Sequence, residues 1–216
     1  MHNPTTQTYT SLTAAYEFFN RELFDGSLPP CLITIQRHRG AYGYFSSERF
    51  ASVEDPNTVT DEIALNPMHF ATRRPVKVLS TLVHEMVHLW QYHYGKRPRH
   101  GYHDKQWAAK MREVGLIPTD TGAPGGKETG QKVTHLIDEQ GRFASAVNNL
   151  LAEHPAILYH DRSNKTGAVR KKKAASKTKY TCLSCGLNAW AKPNAPLVCG
   201  DCQAPMEAEI TEEEDE

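Results

Sequence analysis

The 216-residue chain has no run of 18 or more apolar residues, so no membrane-spanning helix is expected. Its first ten residues, Met1 to Thr10, are polar and lack the apolar stretch of an export signal, which leads to the expectation of a cytoplasmic protein with no membrane partner. It has no internal repeat. Net charge is missing too, because 25 Lys and Arg offset 25 Asp and Glu. Cysteine is scarce and odd in number, at five. That count argues against a disulfide framework and for metal binding in a reducing compartment, since four of the five form two Cys-x-x-Cys pairs. The fifth, Cys31, stands beside an apolar stretch and reads as a small buried hydrophobe. With 39% hydrophobic and 23% charged residues, the remainder is ordinary for a water-soluble chain.

The neutral total conceals a strong asymmetry. Arg162 to Lys179 holds eight basic residues and no acidic one, whereas Glu207 to Glu216 holds seven acidic residues and no basic one. The expected organisation is a catalytic-sized domain over 1–160, a basic linker over 161–179, a four-cysteine module over 180–206 and an acidic, disordered tail over 207–216.

Apolar spacing at Leu12, Ala15, Tyr16, Phe19 and Leu23 predicts a helix over 11–24, capped by Thr10 or Ser11 and stopped at Asp25-Gly26. Short strands are predicted over 31–36, 42–46 and 62–65, forming a small hairpin-like sheet. Pro75 opens a long helix that runs to Tyr94 without Gly or Pro inside it. A second helix is predicted over 104–114, a Gly-rich loop over 119–130, a strand over 132–137 and a helix over 143–153. The class is α+β.

The long helix contains His84-Glu85-Met86-Val87-His88. At 3.6 residues per turn, residues 84 and 88 stack on one face, where two neutral imidazoles can share a zinc ion. Glu85, beside the first donor, is the candidate general base for peptide hydrolysis. A largely apolar helix gains nothing from two His and one Glu within a turn unless something satisfies them. A catalytic zinc takes three protein donors and keeps one position open. The third donor is assigned to His103, which opens the next helix with Trp107 one turn later. His100 and Glu113 are the alternatives, and His93 is too far along the helix. Gln91 and Tyr94 stand where a metzincin would carry Gly and His, which excludes that extended pattern.

Cys182, Cys185, Cys199 and Cys202 form the second site. Two tight knuckles separated by 13 residues can close a tetrahedral thiolate shell around a structural zinc, with Gly186 and Gly200 supplying backbone freedom. So small a module draws much of its folding energy from the metal. Tyr180, Trp190 and Lys192 are candidates for contact with bases or protein, although for Trp190 packing within the module is the expected role.

Four segments together resemble the SprT-like (Spartan-related) zinc metallopeptidases: Phe19-Asn20-Arg21-Glu22-Leu23-Phe24-Asp25-Gly26-Ser27-Leu28-Pro29, the stretch from Leu32 to Phe45, the motif His84 to His88, and His103 with Trp107. The likeness covers roughly residues 10–115. It departs at Asp104, where the family often has Gly after the third histidine, while Gly101 follows His100. The resemblance implies a zincin-like α+β core, a C-terminal zinc ribbon as in many family chains, and protein substrates associated with or crosslinked to DNA.

On that basis the expectation is a zinc endopeptidase with one catalytic and one structural zinc, cytoplasmic and nucleoid-associated in a bacterium. The competing expectation is a non-catalytic nucleic-acid-binding or regulatory protein whose zinc sites are structural. Non-specific DNA contact is assigned to Arg170, Lys171, Lys172, Lys173, Lys177 and Lys179, which can neutralise several phosphates. DNA affinity should therefore fall steeply as salt rises, by about tenfold or more between 50 and 200 mM if three or so phosphates are neutralised. A salt titration of binding checks this, and a flat response would remove the electrostatic account.

Overall fold

The computed structural model describes residues 3–99, 101–153, 159–162 and 177–208. The chain divides into two compact units, Met1–Asn164 and Lys165–Glu216. His100 and the basic residues 170–173 lie outside the described residues. Among the described residues no helix is long and apolar enough to cross a membrane.

Helix α1 spans Pro4–Phe24. It begins two turns before the apolar periodicity does. Pro4 occupies the first helical position, and the Asn3 side chain accepts hydrogen bonds from the Thr5 and Thr6 N–H groups. That cap displaces the one expected at Thr10 or Ser11. The helix ends with Asp25 at φ 55° and Gly26 at φ 69°. Asn20 fastens the exit: its amide donates to the Leu28 carbonyl at 3.1 Å and accepts from the Leu28 N–H at 3.0 Å.

Strands β1 (Leu32–Ile35), β2 (Gly43–Ala51) and β3 (Val59–Leu65) form one sheet in the order β1-β3-β2. It is not hairpin-like at its start, because β1 pairs with β3 in parallel and only β2 is antiparallel to it. Strand β2 is longer than the sequence suggests. It carries an irregularity between Ser46 and Phe50, with Glu48 at φ 48°. The side chain of Asn66 ties down the connection by donating to the carbonyls of His38 and Ala41.

Helix α2 (Pro75–Tyr94) lies on this sheet, and its Leu79, Leu82, Val83, Met86 and Leu89 meet Leu12, Phe19 and Leu23 of α1 with Ile63 and Leu65 of β3 in one core. Helix α3 (Lys105–Glu113) and α4 (Arg142–Glu153) add Trp107, Met111, Phe143 and Val147 to it. Between them a two-stranded antiparallel sheet pairs β4 (Leu116–Thr119) with β5 (Thr134–Ile137). Strand β4 has no counterpart in the sequence expectations, since a four-residue run containing Pro118 gives no alternation to detect. Cys31 packs partly buried against the core, with burial pushing its thiol up to about 12, as befits an inert residue.

The second unit is a three-stranded sheet in the order β7-β6-β8, with β6 at Thr178–Thr181, β7 at Asn188–Ala191 and β8 at Glu207–Ala208. Tyr180 is buried. Its hydroxyl donates to the Lys192 carbonyl and accepts from the Ala195 N–H, both at 2.9 Å, so it is a packing residue. Trp190, expected to pack, is 62% exposed on the opposite face, across from Lys179.

Because Asn20 satisfies both polar groups of Leu28, Asn20→Ala should destabilise the first unit by about 1–3 kcal/mol. Chemical unfolding followed by loss of helical signal measures it.

Candidate metal centres

Helix α2 is buried over most of its circumference, so it carries His84 and Glu85 inside with its apolar residues. The His84 and His88 ring centroids stand 5.2 Å apart, one turn from each other. His103, just ahead of α3, closes the group at 5.5 Å from His84 and 4.8 Å from His88. One ring nitrogen from each of the three lies within 4.8 Å of the others. Trp107 backs all three rings, with centroids at 4.9, 5.2 and 4.3 Å.

His103 is held from two sides. On one, Asp104 caps α3 by accepting from the Gln106 and Trp107 N–H groups at 2.9 Å, and it also accepts from the Gln91 side chain of α2 at 2.8 Å. The residue that departs from the family pattern therefore anchors the loop bearing the donor. On the other side, His103 and Gly130 exchange backbone hydrogen bonds at 2.8 and 3.0 Å. The His103 Nδ1 also lies 3.0 Å from the Gly130 carbonyl. A carbonyl can only accept, so the ring proton sits on Nδ1 and Nε2 is bare.

The Gly-rich loop thus has a definite task. Its tip is a polar knot in which Thr119 Oγ1 donates to the Ala123 carbonyl and Asp120 accepts from the Lys127 N–H. A Cβ at Gly126 would fall 2.3 Å from Thr119 Oγ1, so only glycine fits there.

Burial, followed by the neighbouring histidines, lowers the His84 pKa well below the usual value, and burial with His103 takes that of His88 down to about 3. Burial also lowers that of His103. All three rings are neutral at pH 7, the form that binds metal. Burial raises the Glu85 carboxyl to about 8, opposed by a hydrogen bond from the Phe45 N–H of β2. A dication beside it would favour its ionised form. His88 Nε2 and His103 Nε2 face each other at 3.1 Å, close to the edge of about 3.3 Å that a tetrahedral ion with bonds of about 2.05 Å imposes on its nitrogens. The donor set fits zinc.

The alternatives for the third donor fare differently. Glu113 is exposed and engaged with Lys110 at 2.7 Å, away from the cluster. His100 lies outside the described residues. His93 pairs with Asp61 at 2.6 Å. One residue at the site went unnoticed in the sequence: His135 on β5, whose Nδ1 lies 3.1 Å from His84 Nδ1 and whose Nε2 lies 2.8 Å from Ser80 Oγ. Nothing in a spacing pattern marks a contact spanning 51 residues.

In the second unit Cys182, Cys185, Cys199 and Cys202 converge, their sulfurs within 4.8 Å of one another. Cys185 and Cys199 stand 3.7 Å apart, far beyond a disulfide bond but matching the edge of about 3.8 Å expected for sulfurs bound to zinc at about 2.3 Å. Each knuckle is closed by backbone bonds: Gly186 N–H to Cys182 O at 2.8 Å, and Gln203 N–H to Cys199 O at 2.9 Å. Gly186 takes the left-handed conformation in the first, at φ 75°. In the second that role falls to Gln203, at φ 52°, rather than to Gly200. The Cys185 N–H is the main influence drawing the Cys182 thiol down to about 7, while the neighbouring Cys185 sulfur leads in pushing Cys202 up to about 12. Four sulfurs so close could all be thiolates only beside a cation, and this set too fits zinc. Of the residues assigned to DNA, Lys177 precedes β6 and Lys179 lies within it.

The SprT-like family model matches residues 12–128, just over half of the chain, and the chain belongs to that family. A Salmonella typhimurium protein described as "Uncharacterized protein in mucB 3'region" is 55% identical over 60 residues, which make up 28% of this chain and 80% of that protein.

His103→Ala should lose one zinc equivalent and leave the four-cysteine cluster loaded, whereas His100→Ala should keep both. Cys185→Ser should lose the other equivalent. Metal analysis of the three purified variants decides the assignments.

Proposed function

We propose that this chain is a zinc-dependent endopeptidase acting on proteins bound or crosslinked to DNA. The observation that carries the proposal is the carboxylate of Glu85. It is 5% exposed, belongs to the residue that follows His84 on α2, and forms no ion pair among the described residues. A purely structural zinc site has no use for such a group, whose burial costs free energy. It normally closes with a fourth protein donor, while three histidines converge here among the described residues. Family membership supports a metallopeptidase-like chain.

When bound, zinc supplies Lewis acidity that polarises the scissile carbonyl and acidifies water. Glu85 accepts the proton of the attacking water on its carboxylate and returns it to the leaving amine nitrogen. The Phe45 N–H holds that carboxylate in place. Gly43, two residues earlier on β2, keeps the approach clear, because a Cβ there would lie 3.3 Å from Glu85 Oε1 and 2.8 Å from the Ala64 carbonyl. Association with DNA draws support from the basic run preceding the ribbon, including Lys177 and Lys179, through counterion release.

Glu85→Gln should retain zinc at the histidines and lose turnover by about 10²-fold or more. The assay is cleavage of a protein crosslinked to single-stranded DNA, with chelator abolishing the wild-type rate. Wild-type turnover in the variant would refute the general-base role. Equal cleavage of the same protein free of DNA would refute the DNA-linked substrate.

A further inference from the structure

We propose that His135 is a positioning residue that dictates which nitrogen of His84 is free to bind metal, through a one-way hydrogen-bond chain that ends on the backbone of α2. The inference rests on the histidine cluster being a metal centre.

The chain is oriented from its far end. The Lys77 carbonyl can only accept, and Ser80 Oγ lies 3.0 Å from it, so the hydroxyl spends its proton there. Ser80 Oγ is left to accept from His135 Nε2 at 2.8 Å, which places the imidazole proton of His135 on Nε2. The neutral ring then offers a bare Nδ1, 3.1 Å from His84 Nδ1. His84 must donate across that contact, so its own proton sits on Nδ1 and its Nε2 is bare.

A neutral histidine left to itself exchanges between two tautomers, and the one protonated on Nε2 cannot ligate through that atom. The chain removes the wrong tautomer before metal arrives. The Gly130 carbonyl does the same for His103. Two of the three donors, one on α2 and one ahead of α3, are thus set by residues 130 and 135, both beyond residue 128 where the family match ends. Ser80 is fully buried, so both of its polar contacts are made away from water.

Two measurements on the full-length chain test this. In metal-free wild-type protein, nitrogen-15 NMR of the imidazoles should show His84 protonated on Nδ1 and His135 on Nε2. His84 protonated on Nε2 would overturn the proposal whatever the metal does. With the ribbon already zinc-loaded, zinc affinity at the histidines is then read by chelator competition. His135→Leu should weaken it about 10–100-fold. His135→Asn should recover most of the loss, because its amide oxygen can accept the His84 proton. Equal affinities in the Leu and Asn variants would reduce His135 to a packing residue and overturn the proposal. A wild-type chain that binds zinc only in the ribbon would instead sink the metal centre, while the tautomers still report on the chain itself.

Discussion

The whole histidine site depends on the burial of α2. Over its middle turns this helix is lodged between a sheet and three other helices, so the polar residues there are kept from water. His84 and Glu85 therefore sit where charge is penalised. The same penalty acts in opposite directions on the two kinds of group. It keeps the imidazoles neutral and lowers their proton affinity, and it raises that of the carboxyl beside them. One physical cause thus acts on both kinds of group, and no oppositely charged partner among the described residues acts on either His84 or Glu85.

Burial alone would leave the rings undirected. Direction comes from backbone and side-chain acceptors in the segment between α3 and α4, together with Trp107 packed behind the rings. Asp104 joins these two influences, since the same carboxylate caps α3 and grips Gln91 of α2. The donors therefore come from separate stretches of chain but are fastened to each other as well as to their own elements. The second unit achieves convergence differently, with two backbone knuckles and a buried Tyr180 at a scale too small for a helical core.

Elements whose periodicity comes from packing were legible in the sequence. The long helix α2 follows its apolar stripe, with Pro75 and Gly95 at its ends, and the two histidines one turn apart need only helical geometry to meet. The paired cysteines carry their spacing openly. What escaped notice has no local signature. The start of α1 is polar and opens on a cap, and β4 is four residues long with a proline. His135 matters only because β5 passes beside α2, a tertiary fact. Trp190 stays exposed because strand alternation turns it away from the face that Tyr180 fills, and that face was not assignable before the register was known. Gln203 in a left-handed turn was hidden behind the more obvious glycine at 200.

The loop around Gly126 is pinned at both ends, by the Thr119–Thr134 pairing at the base of its hairpin and by the His103–Gly130 bridge. Between those ends it satisfies its own polar groups around a glycine that admits no side chain. A longer or shorter segment within 121–129 would have to break the Thr119–Ala123 and Asp120–Lys127 bonds. Side chains on the exposed positions of this tip can thus be exchanged freely, whereas its length is coupled to the anchor that steadies the imidazole at 103.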